Sequence, residues 1–488
     1  MVLALAGALS ACVSPQSDRP ELAGELPVAF AAGGVPTQPD DDWWVRFGDE
    51  KLTRLIDEAV SESPQVGQAL ARVEQARAQA RIQRAAQLPQ VSASASASRS
   101  RQTLVGLGPI GDLPGVPDAG DAPTAFITEN YGLSLDVSWE TDLFGAIRAR
   151  SSAARADFLA SEANLRAARQ AVAAQTARTY FSLVEARAQV DLSQEVVETF
   201  GEIARQVGNR ADVGIAPPND KLLAIANLES SIAGLQQREE NVERLTRQLE
   251  ILLRDYPSGT LPTAAALPPV PAPPPVGLPV DLLTRRPDVA AAQFNLRAAG
   301  YRTAAAQRSL LPSLSLTGSA GTASDALGDL LDGDFFVWSI AGRLLQPIFQ
   351  GGRLRAQVRL AEGQRDEAAE TYVDTLLTAL SEVETALAID EELATREAAL
   401  SRAAEASQRS VEISFNRYRA GIDPFITVLQ SQQGALDARS SVIATRRARL
   451  ENRIALHLAL GGGFGTPANT PLFIGGGSTA PAPQETDR

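Results

Sequence analysis

The stretch that decides the fold is Leu278–Pro312, which reads L-P-V-D-L-L-T-R-R-P-D-V-A-A-A-Q-F-N-L-R-A-A-G-Y-R-T-A-A-A-Q-R-S-L-L-P. A short helix-like run is followed by an alanine-rich helical pattern between two prolines, Pro287 and Pro312. The same arrangement occurs earlier, between Pro64 and Pro89. The later prolines lie 223 positions after the earlier ones (287 − 64 and 312 − 89). The sequence therefore predicts an internal duplication of one structural unit.

Each alanine-rich stretch is followed by a segment in which apolar and small polar residues alternate. The alternation runs through Val91–Ser98 in the first copy and through Ser313–Ala320 in the second. After a loop, a second alternating run follows in each copy. A period of two with one apolar and one polar face is typical of a strand. We therefore predict four strands, at residues 90–99, 130–140, 313–321 and 335–345.

The predicted strands have the length of membrane-spanning strands. About 10 residues are enough for a tilted strand to cross a bilayer. The apolar face of the second strand begins with Tyr131 and ends with Trp139, as expected where aromatic girdles flank a membrane barrel. Four strands cannot close such a barrel because about eight are the minimum. Since open edges are not tolerated in lipid, several chains must share one barrel if these strands lie in a membrane.

Long helices make up most of the remaining sequence. Phe144–Val207 and Arg353–Arg417 contain no proline and almost no glycine. A helix of this length, about 95 Å at roughly 1.5 Å per residue, indicates a coiled-coil-like element rather than a helix of a globular core. Shorter helices are predicted at Asp220–Arg254 and Pro424–Leu460. All carry many charged residues, so they belong in an aqueous space.

The second half of the chain repeats the first at a smaller offset. Phe144 matches Phe349 at an offset of 205 residues, and Arg210-x-x-x-Gly-Ile matches Arg417-x-x-x-Gly-Ile at an offset of 207. The offset between equivalent positions thus falls from 223 residues to 205 and 207. We assign this decrease to a shorter loop between the strands of the second copy. The chain is therefore divided into a signal (1–11), an N-terminal tether (12–40), a first repeat (41–256), a Pro-rich linker (257–279), a second repeat (280–463) and a flexible C-terminal tail (464–488).

The N-terminus has the pattern of a bacterial lipoprotein signal. Met1–Ala11 is apolar and rich in small residues, and Leu9-Ser10-Ala11 directly precedes Cys12. We interpret Met1–Ala11 as a removed signal and Cys12 as the lipidated residue. No Lys or Arg precedes Cys12, which leaves a start upstream of Met1 open. The alternative is an incidental cysteine near an apolar segment.

Composition argues against several classes of function. The formal charge of −13 gives no reason to expect nucleic-acid binding. A single His, His457, and a single Cys leave little material for a metal site, thiol chemistry or a Ser-His pair, so we expect no cofactor beyond the lipid on Cys12. A cell-envelope hydrolase would need a histidine in a site, whereas His457 falls on the apolar face of a helix and is expected to be packed.

Several motifs identify a family. The chain resembles the TolC-like outer-membrane efflux factors, in particular the lipoprotein branch of OprM and NodT type. The motifs are Leu9–Cys12, W-W-x-x-F-G-D from Trp43, L-L-x-R-R-P-D-V within Leu278–Val289, P-I-F-Q-G-G-R-L from Pro347 and Y-x-x-G-I from Tyr418.

The resemblance implies a fold that is mainly α with a β-barrel part. It implies a homotrimer whose outer-membrane β-barrel is continuous with a long periplasmic α-helical barrel. The chain would be the passive exit duct of a tripartite efflux system that exports small molecules such as drugs, and it would have no enzymatic activity. It would be lipid-anchored in the outer membrane of a Gram-negative bacterium. Its partners would be a periplasmic adaptor and an inner-membrane pump of the RND type.

The resemblance also implies a gate at the turns between the long helices, here Arg210–Asp220 and Arg417–Gln430. The gate candidates are Arg210, Asp220, Arg417, Tyr418, Asp423, Thr427 and Gln430. Acidic rings of relatives would fall at Thr427 and Gln430, which are uncharged, so Asp220 and Asp423 are the remaining carboxylates. A ring of carboxylates favours cations. The alternative for these two aspartates is capping of a helix N-terminus.

Other readings of the sequence remain. A lipid-anchored periplasmic adaptor also has long helices, but it should contain a compact β domain rather than two duplicated hairpins. A structural coiled-coil envelope protein would use the hairpins only to join helices. Trp43 and Trp44 are expected to anchor the tether to the outside of the helical barrel, Arg285, Arg286 and Asp288 to form a salt bridge at a helix start, and Gly351-Gly352 to form a bend.

Overall fold

The computed structural model describes residues 29–31, 42–103, 125–262, 264–277 and 279–462. The predicted lipoprotein signal, Cys12, most of the predicted tether and the predicted C-terminal tail lie outside the described residues. The chain divides into two compact units. The described parts of the first unit belong to Gln68–Leu165 and Asp288–Leu377, and those of the second to Leu26–Gly67, Arg166–Pro287 and Thr378–Arg488. Each unit therefore draws on both predicted repeats.

The described chain is mainly helical with one antiparallel sheet. The elements are α1 (Glu50–Glu62), α2 (Pro64–Ala85), β1 (Gln90–Thr103), β2 (Ala125–Thr141), α3 (Ala146–Asp212), α4 (Pro218–Leu252), α5 (Leu282–Arg285), α6 (Pro287–Arg308), β3 (Ser313–Ser324), β4 (Phe336–Leu345), α7 (Arg353–Arg419) and α8 (Phe425–Ala459). Short 3-10 turns occur at Trp43–Phe47, Pro279–Asp281, Leu327–Leu331 and Gly333–Phe335. Three strands are longer than predicted, and β4 begins one residue later. Within the described helices, no segment is long and apolar enough to cross a membrane.

The duplication is visible in the element lengths. Helices α2 and α6 each have 22 residues and start 223 positions apart. Helices α3 and α7 each have 67 residues, helices α4 and α8 each have 35, and both pairs start 207 positions apart (353 − 146 and 425 − 218).

The match of Phe144 with Phe349 at an offset of 205 is wrong. The chain bends into α3 at Gly145 and into α7 at Gly352, with φ of 80° and 82°. A glycine adopts this left-handed conformation without the strain that a Cβ causes. The bend therefore aligns Gly145 with Gly352, at an offset of 207, and the two phenylalanines are not equivalent.

The sheet has the strand order β1-β2-β3-β4, with every neighbouring pair antiparallel. Its register places Val91 beside Val137, Val137 beside Gly318, and Gly318 beside Ile340. Since side chains alternate between faces along each strand, one face of the sheet carries the apolar residues of all four strands. These are Val91, Ala93, Ala95, Ala97, Tyr131, Leu133, Leu135, Val137, Trp139, Leu314, Leu316, Gly318, Ala320, Phe336, Trp338, Ile340, Gly342 and Leu344.

The opposite face of the sheet is lined by small polar side chains. The hydroxyls of Ser94 and Ser134 lie 2.8 Å apart, and both donate to the carboxylate of Asp136. The hydroxyls of Ser319 and Ser339 are also 2.8 Å apart. The apolar face is solvent-exposed in the single chain; Ile340, for example, is 79% exposed. The sheet therefore has one face suited to lipid and one suited to water, as the alternation predicts.

The second unit buries the aromatic residues near its N-terminal end. Trp43 is fully buried, and its ring stacks on His457 with 5.6 Å between the centroids. Phe47 packs against both Trp43 and Phe181. His457 is packed, as predicted. Trp43 and Trp44 are core residues of the second unit. The tether that they are expected to anchor lies mostly outside the described residues, so that expectation stays a prediction.

Ion pairs join α7 to α8 along the second unit. Arg453, 2% exposed, donates to both carboxylate oxygens of Asp390 at 2.9 and 3.0 Å. Arg446 and Arg449 both donate to Glu397. Arg286 pairs with Glu382 of α7 at 2.6 Å, so the salt bridge predicted for this motif reaches across to a long helix.

Gly321 of β3 provides a test of the sheet geometry. A Cβ at this position would overlap the carbonyl oxygen of Leu133 and lie 2.7 Å from the Cα of Ser134, whereas a Cβ at Gly318 would lie 3.7 Å from its nearest neighbour. We therefore expect Gly321→Ala to reduce the fraction of the chain that folds in the outer membrane, because β2 and β3 must separate. Gly318→Ala is the control and should fold normally. Resistance of the sheet to trypsin measures the outcome, and equal resistance of the two variants would contradict the register.

Candidate functional site

The two turns between the long helices have the same backbone construction. A left-handed glycine lies two residues beyond the end of each long helix: Gly214 (φ 77°) follows α3, and Gly421 (φ 74°) follows α7. The N–H of Ile215 donates to the Arg210 carbonyl at 2.8 Å, and the N–H of Ile422 donates to the Arg417 carbonyl at 2.9 Å. These bonds satisfy carbonyls that the end of a helix leaves without an intrahelical partner. The R-x-x-x-G-I motif therefore encodes a helix stop.

The aspartates of the turns do not cap the following helices. The N-cap residues of α4 and α8 are Pro217 and Pro424, and neither end has a side-chain cap. Asp220 lies in the first turn of α4, where a carboxylate is favoured by the helix dipole. Asp423 precedes the cap of α8. The capping alternative is wrong because both carboxylates bind side chains instead.

Asp423 forms a two-point ion pair with Arg417. The Nε and Nη2 atoms of the guanidinium donate to the two carboxylate oxygens at 2.7 and 3.0 Å. Paired hydrogen bonds of this kind fix orientation as well as distance. Hydrogen bonds from Arg417 lower the pKa of Asp423 below its ordinary value. The pair joins the end of α7 to the start of α8.

Tyr418 links the two helical hairpins of the second unit. Its hydroxyl donates to the Asp220 carboxylate at 3.2 Å, although the two residues are 198 positions apart. Its ring packs against Phe425 with 5.2 Å between the centroids, and the Cζ of Arg210 lies 5.8 Å from the ring centre. Tyr418 is 7% exposed and belongs to a buried cluster that includes Val207 and Phe425. One side chain thus holds the first turn against the second.

The last two gate candidates, Thr427 and Gln430, lie in the first two turns of α8 and take no part in the hydrogen bonds of Tyr418 and Arg417. Thr427 is half-buried and Gln430 is exposed. Of the seven gate candidates, the five that make these side-chain contacts among the described residues are therefore Arg210, Asp220, Arg417, Tyr418 and Asp423. Within that same part of the chain, no cluster of three or more His, Cys, Asp or Glu side chains could hold a metal ion.

Two features of the turns are missing from the sequence predictions. Lys221 pairs with Asp212 at 2.7 Å and bridges the first turn much as Arg417 and Asp423 bridge the second. The turns also expose large apolar side chains, which are Val213, Ile215, Leu222, Ile422 and Ile426. The ion pair could have been predicted from the sequence, because Asp212 and Lys221 carry opposite charges on either side of Gly214. Exposed apolar residues at a turn carry no pattern that separates them from buried ones.

The comparisons with known proteins agree on one family. Residues 55–255 and 278–462 match the family described as outer membrane efflux protein. The chain is 32% identical to the outer membrane protein OprJ of Pseudomonas aeruginosa over 490 residues, covering 98% of each chain. It is 30% identical to the toluene efflux pump outer membrane protein TtgF of Pseudomonas putida, covering 96% of this chain and 98% of TtgF.

Solved structures show the same fold. The outer membrane channel CmeC of Campylobacter jejuni has a TM-score of 0.83 at 27% identity and covers 92% of this chain and 95% of its own. The open state of the outer membrane channel MtrE of Neisseria gonorrhoeae has a TM-score of 0.77 at 28% identity and covers 92% of this chain and 98% of its own.

The titration of Tyr418 tests the link between the two turns. Burial and the neighbouring charge of Asp220 raise the pKa of Tyr418 to about 12. A raised pKa means that the folded protein holds this proton more tightly than the unfolded chain does. The contribution to stability is therefore complete below about pH 10, the ordinary tyrosine pKa, and is lost as the pH rises through about 12.

We expect Asp220→Asn to lower the pKa of Tyr418 while leaving it above the ordinary value, because burial remains. Absorbance titration of each protein against its Tyr418→Phe counterpart isolates this one phenol. An unchanged pKa in the Asp220→Asn variant would contradict the contact.

Proposed function

Because the chain belongs to the outer membrane efflux protein family, it is an outer-membrane efflux channel, and we propose that three copies of it form the exit duct of a tripartite pump. The single observation that carries the proposal is the four-stranded sheet with one apolar face and with two edges, β1 and β4, that no other strand of the described residues pairs. In a bilayer, unpaired backbone N–H and C=O groups are too costly to persist. The edges must therefore be paired by other copies of the chain.

The number of strands favours three copies over two. Two copies would supply eight strands, and a barrel of eight strands has an interior that side chains fill. Three copies would supply twelve strands, and the diameter of a barrel grows with the strand number. The polar face, with Ser94, Asp136 and Ser339, would then line a water-filled lumen. This homotrimer agrees with the organisation that the family resemblance implies.

The protein is located in the outer membrane and extends into the periplasm. Its long helices carry charged residues throughout, so they belong in the aqueous periplasm. The turns at the ends of α3 and α7 expose apolar side chains such as Ile215 and Ile422, which are 65% and 61% exposed. Exposed apolar groups of this kind mark surfaces for protein partners. We assign the turns to docking of a periplasmic adaptor, which would connect the channel to an inner-membrane pump of the RND type.

The exported molecules are small molecules such as drugs. TtgF is named as the outer membrane protein of a toluene efflux pump, and the proposal extends that class of cargo to this chain. The polar groups of the sheet are generic, so the choice of cargo belongs to the pump. Members of the family are channel proteins, and we propose that this chain likewise has no catalytic activity. Cys12 is proposed as the site of a lipid anchor.

The network at the turns is proposed as the gate of the duct. Tyr418 and Asp220 hold the second turn against the first, while Arg417 and Asp423 fix the entry into α8. Loss of either contact leaves the hairpins free to move apart, and the aperture would widen. Arg210 contributes by lying over the ring of Tyr418. Thr427 and Gln430, which were candidates by position, lack a charge and contribute neither of these contacts.

Export is tested by expression of the chain together with its adaptor and pump in a strain whose own outer-membrane efflux channels are deleted. We expect several-fold lower accumulation of a fluorescent efflux substrate than in the strain that carries adaptor and pump alone. Uncoupling the proton gradient should abolish the difference, because the pump supplies the energy. Equal accumulation in the two strains, with the channel present in the outer membrane, would contradict the function.

The gate is tested by single-channel recording in planar bilayers. Tyr418→Phe removes only the hydroxyl that binds Asp220, and Asp423→Asn removes the charge that binds Arg417. We expect both variants to conduct more than the wild type, and the double variant to conduct more than either. Gln430→Ala is the matched control on the same turn and should conduct like the wild type. Wild-type conductance in the double variant would remove these residues from the gate.

A further inference from the structure

A cleft of about 320 Å³ lies in the first unit, where the sheet meets the helices. Residues before β1, at the end of β2 and at the start of α3 line it, namely Gln87, Trp139, Thr141, Asp142, Leu143 and Arg148. Pockets that bind small molecules begin at about 300 Å³. Because the helices extend into the periplasm, this end of the sheet lies at the periplasmic boundary of the outer membrane. The cleft is therefore open to the headgroup layer of that leaflet.

The second copy of the repeat shows what the first copy has added at this junction. The Nε1 of Trp139 donates to the Gln87 carbonyl at 3.1 Å, and the Nε2 of Gln346 donates to the Leu310 carbonyl at 3.0 Å. The helix offsets of 207 and 223 relate the two donors and the two acceptors. A glutamine therefore suffices for this hydrogen bond, and the bond alone does not account for the indole. Tryptophan is enriched where a membrane meets water.

The cleft also carries one negative and one positive group. The two carboxylate oxygens of Asp142 accept the backbone N–H groups of Ile147 and Arg148 at 2.9 and 2.7 Å. A carboxylate offers about four acceptor positions, so Asp142 can hold the start of α3 and still bind a ligand. Arg148 is exposed and forms no ion pair within the described part of the chain. The position equivalent to Asp142 in the second copy is Phe349, so the negative group belongs to the first copy.

Arginines surround this boundary on all four helices that adjoin the sheet. Residues 75–85 of α2, 146–156 of α3, 289–308 of α6 and 353–361 of α7 contain twelve arginines and no Lys, Asp or Glu. These arginines are called the basic collar. The whole chain has a formal charge of −13, so without the twelve arginines the charge would be −25. Basic residues next to a membrane are attracted to lipid phosphates, and the collar lies at that level.

We propose that the cleft binds the headgroup of a phospholipid of the periplasmic leaflet, with its phosphate on Arg148 and its ethanolamine ammonium on Asp142. Hydrogen bonds between ionised groups of this kind are stronger than those between neutral groups. Trp139 and Leu143, 37% and 57% exposed, would lie against the glycerol and the first acyl carbons. A lipid on Cys12 carries neither a phosphate nor an ammonium, so the two charges favour a phospholipid as the occupant. The inference depends on the position of the sheet in the membrane and is independent of the gate and the cargo.

The lipid preference of the purified complex tests the site. The complex is stripped of lipid in detergent, and binding of phosphatidylethanolamine and phosphatidylcholine is measured by native mass spectrometry. The two lipids have the same net charge, but only the ethanolamine ammonium can donate a hydrogen bond to Asp142. We expect the wild type to bind the first phosphatidylethanolamine about fivefold more tightly than phosphatidylcholine. Asp142→Asn should abolish this preference, and Arg148→Gln should weaken the binding of both lipids by about fivefold.

The second copy supplies the matched controls. Arg355→Gln, at the position equivalent to Arg148, changes the charge of the collar by the same amount outside the cleft, and should leave binding of the first lipid unchanged. Trp139→Gln introduces the residue that the second copy has, which can keep the bond to the Gln87 carbonyl, and should weaken both lipids several-fold.

Equal binding of the two lipids by the wild type, or a preference that persists in Asp142→Asn, would overturn the headgroup assignment. Equal losses with Arg148→Gln and Arg355→Gln would overturn the cleft as the site, because only a general attraction to the collar would remain. The same spectra report the number of chains in the complex, which should not change in any variant. Failure of the lipid site is thus distinguished from failure of the assembly.

Discussion

The requirement that every backbone hydrogen-bonding group in a bilayer be paired governs this protein. An unpaired N–H or C=O in hydrocarbon costs several kcal/mol, and an edge strand presents a row of them. Within the described part of the chain, β1 and β4 each have a partner on one side only. The chain therefore contributes a section of a barrel, and an efflux channel of this family requires neighbouring copies to complete the wall of its pore.

The internal duplication shapes both the membrane sheet and the candidate gate. In the first unit it produces two hairpins whose apolar faces merge into one surface, because Val91, Val137, Gly318 and Ile340 lie side by side. In the second unit it produces two helical turns with the same glycine stop. There the copies have diverged: the first turn is bridged by Lys221 and Asp212, and the second by Arg417 and Asp423. The two turns of the candidate gate thus have the same backbone conformation but different side-chain contacts.

Local patterns in the sequence predicted the strands and the turns well. The alternation of Val91–Ser98 specifies both the strand and its faces, and Gly214 and Gly421 mark the two helix stops. Contacts between distant segments were not predictable in this way. Asp220 resembles a capping residue locally but binds Tyr418, and Trp43 stacks on His457 from the other end of the chain. The match of Phe144 with Phe349 failed because residue similarity says nothing about φ, whereas the glycine bends at Gly145 and Gly352 fix the alignment.

Native mass spectrometry of the protein, extracted from outer membranes in mild detergent, measures directly how many copies of the chain form the barrel. The expected result is a complex of three mature chains, because three copies are needed to turn open sheets of four strands into a barrel with a lumen. A complex with a different number of copies would contradict the trimer. A single chain that remains folded in detergent would contradict both the trimer and the shared barrel, since its sheet would then be stable with both edges unpaired.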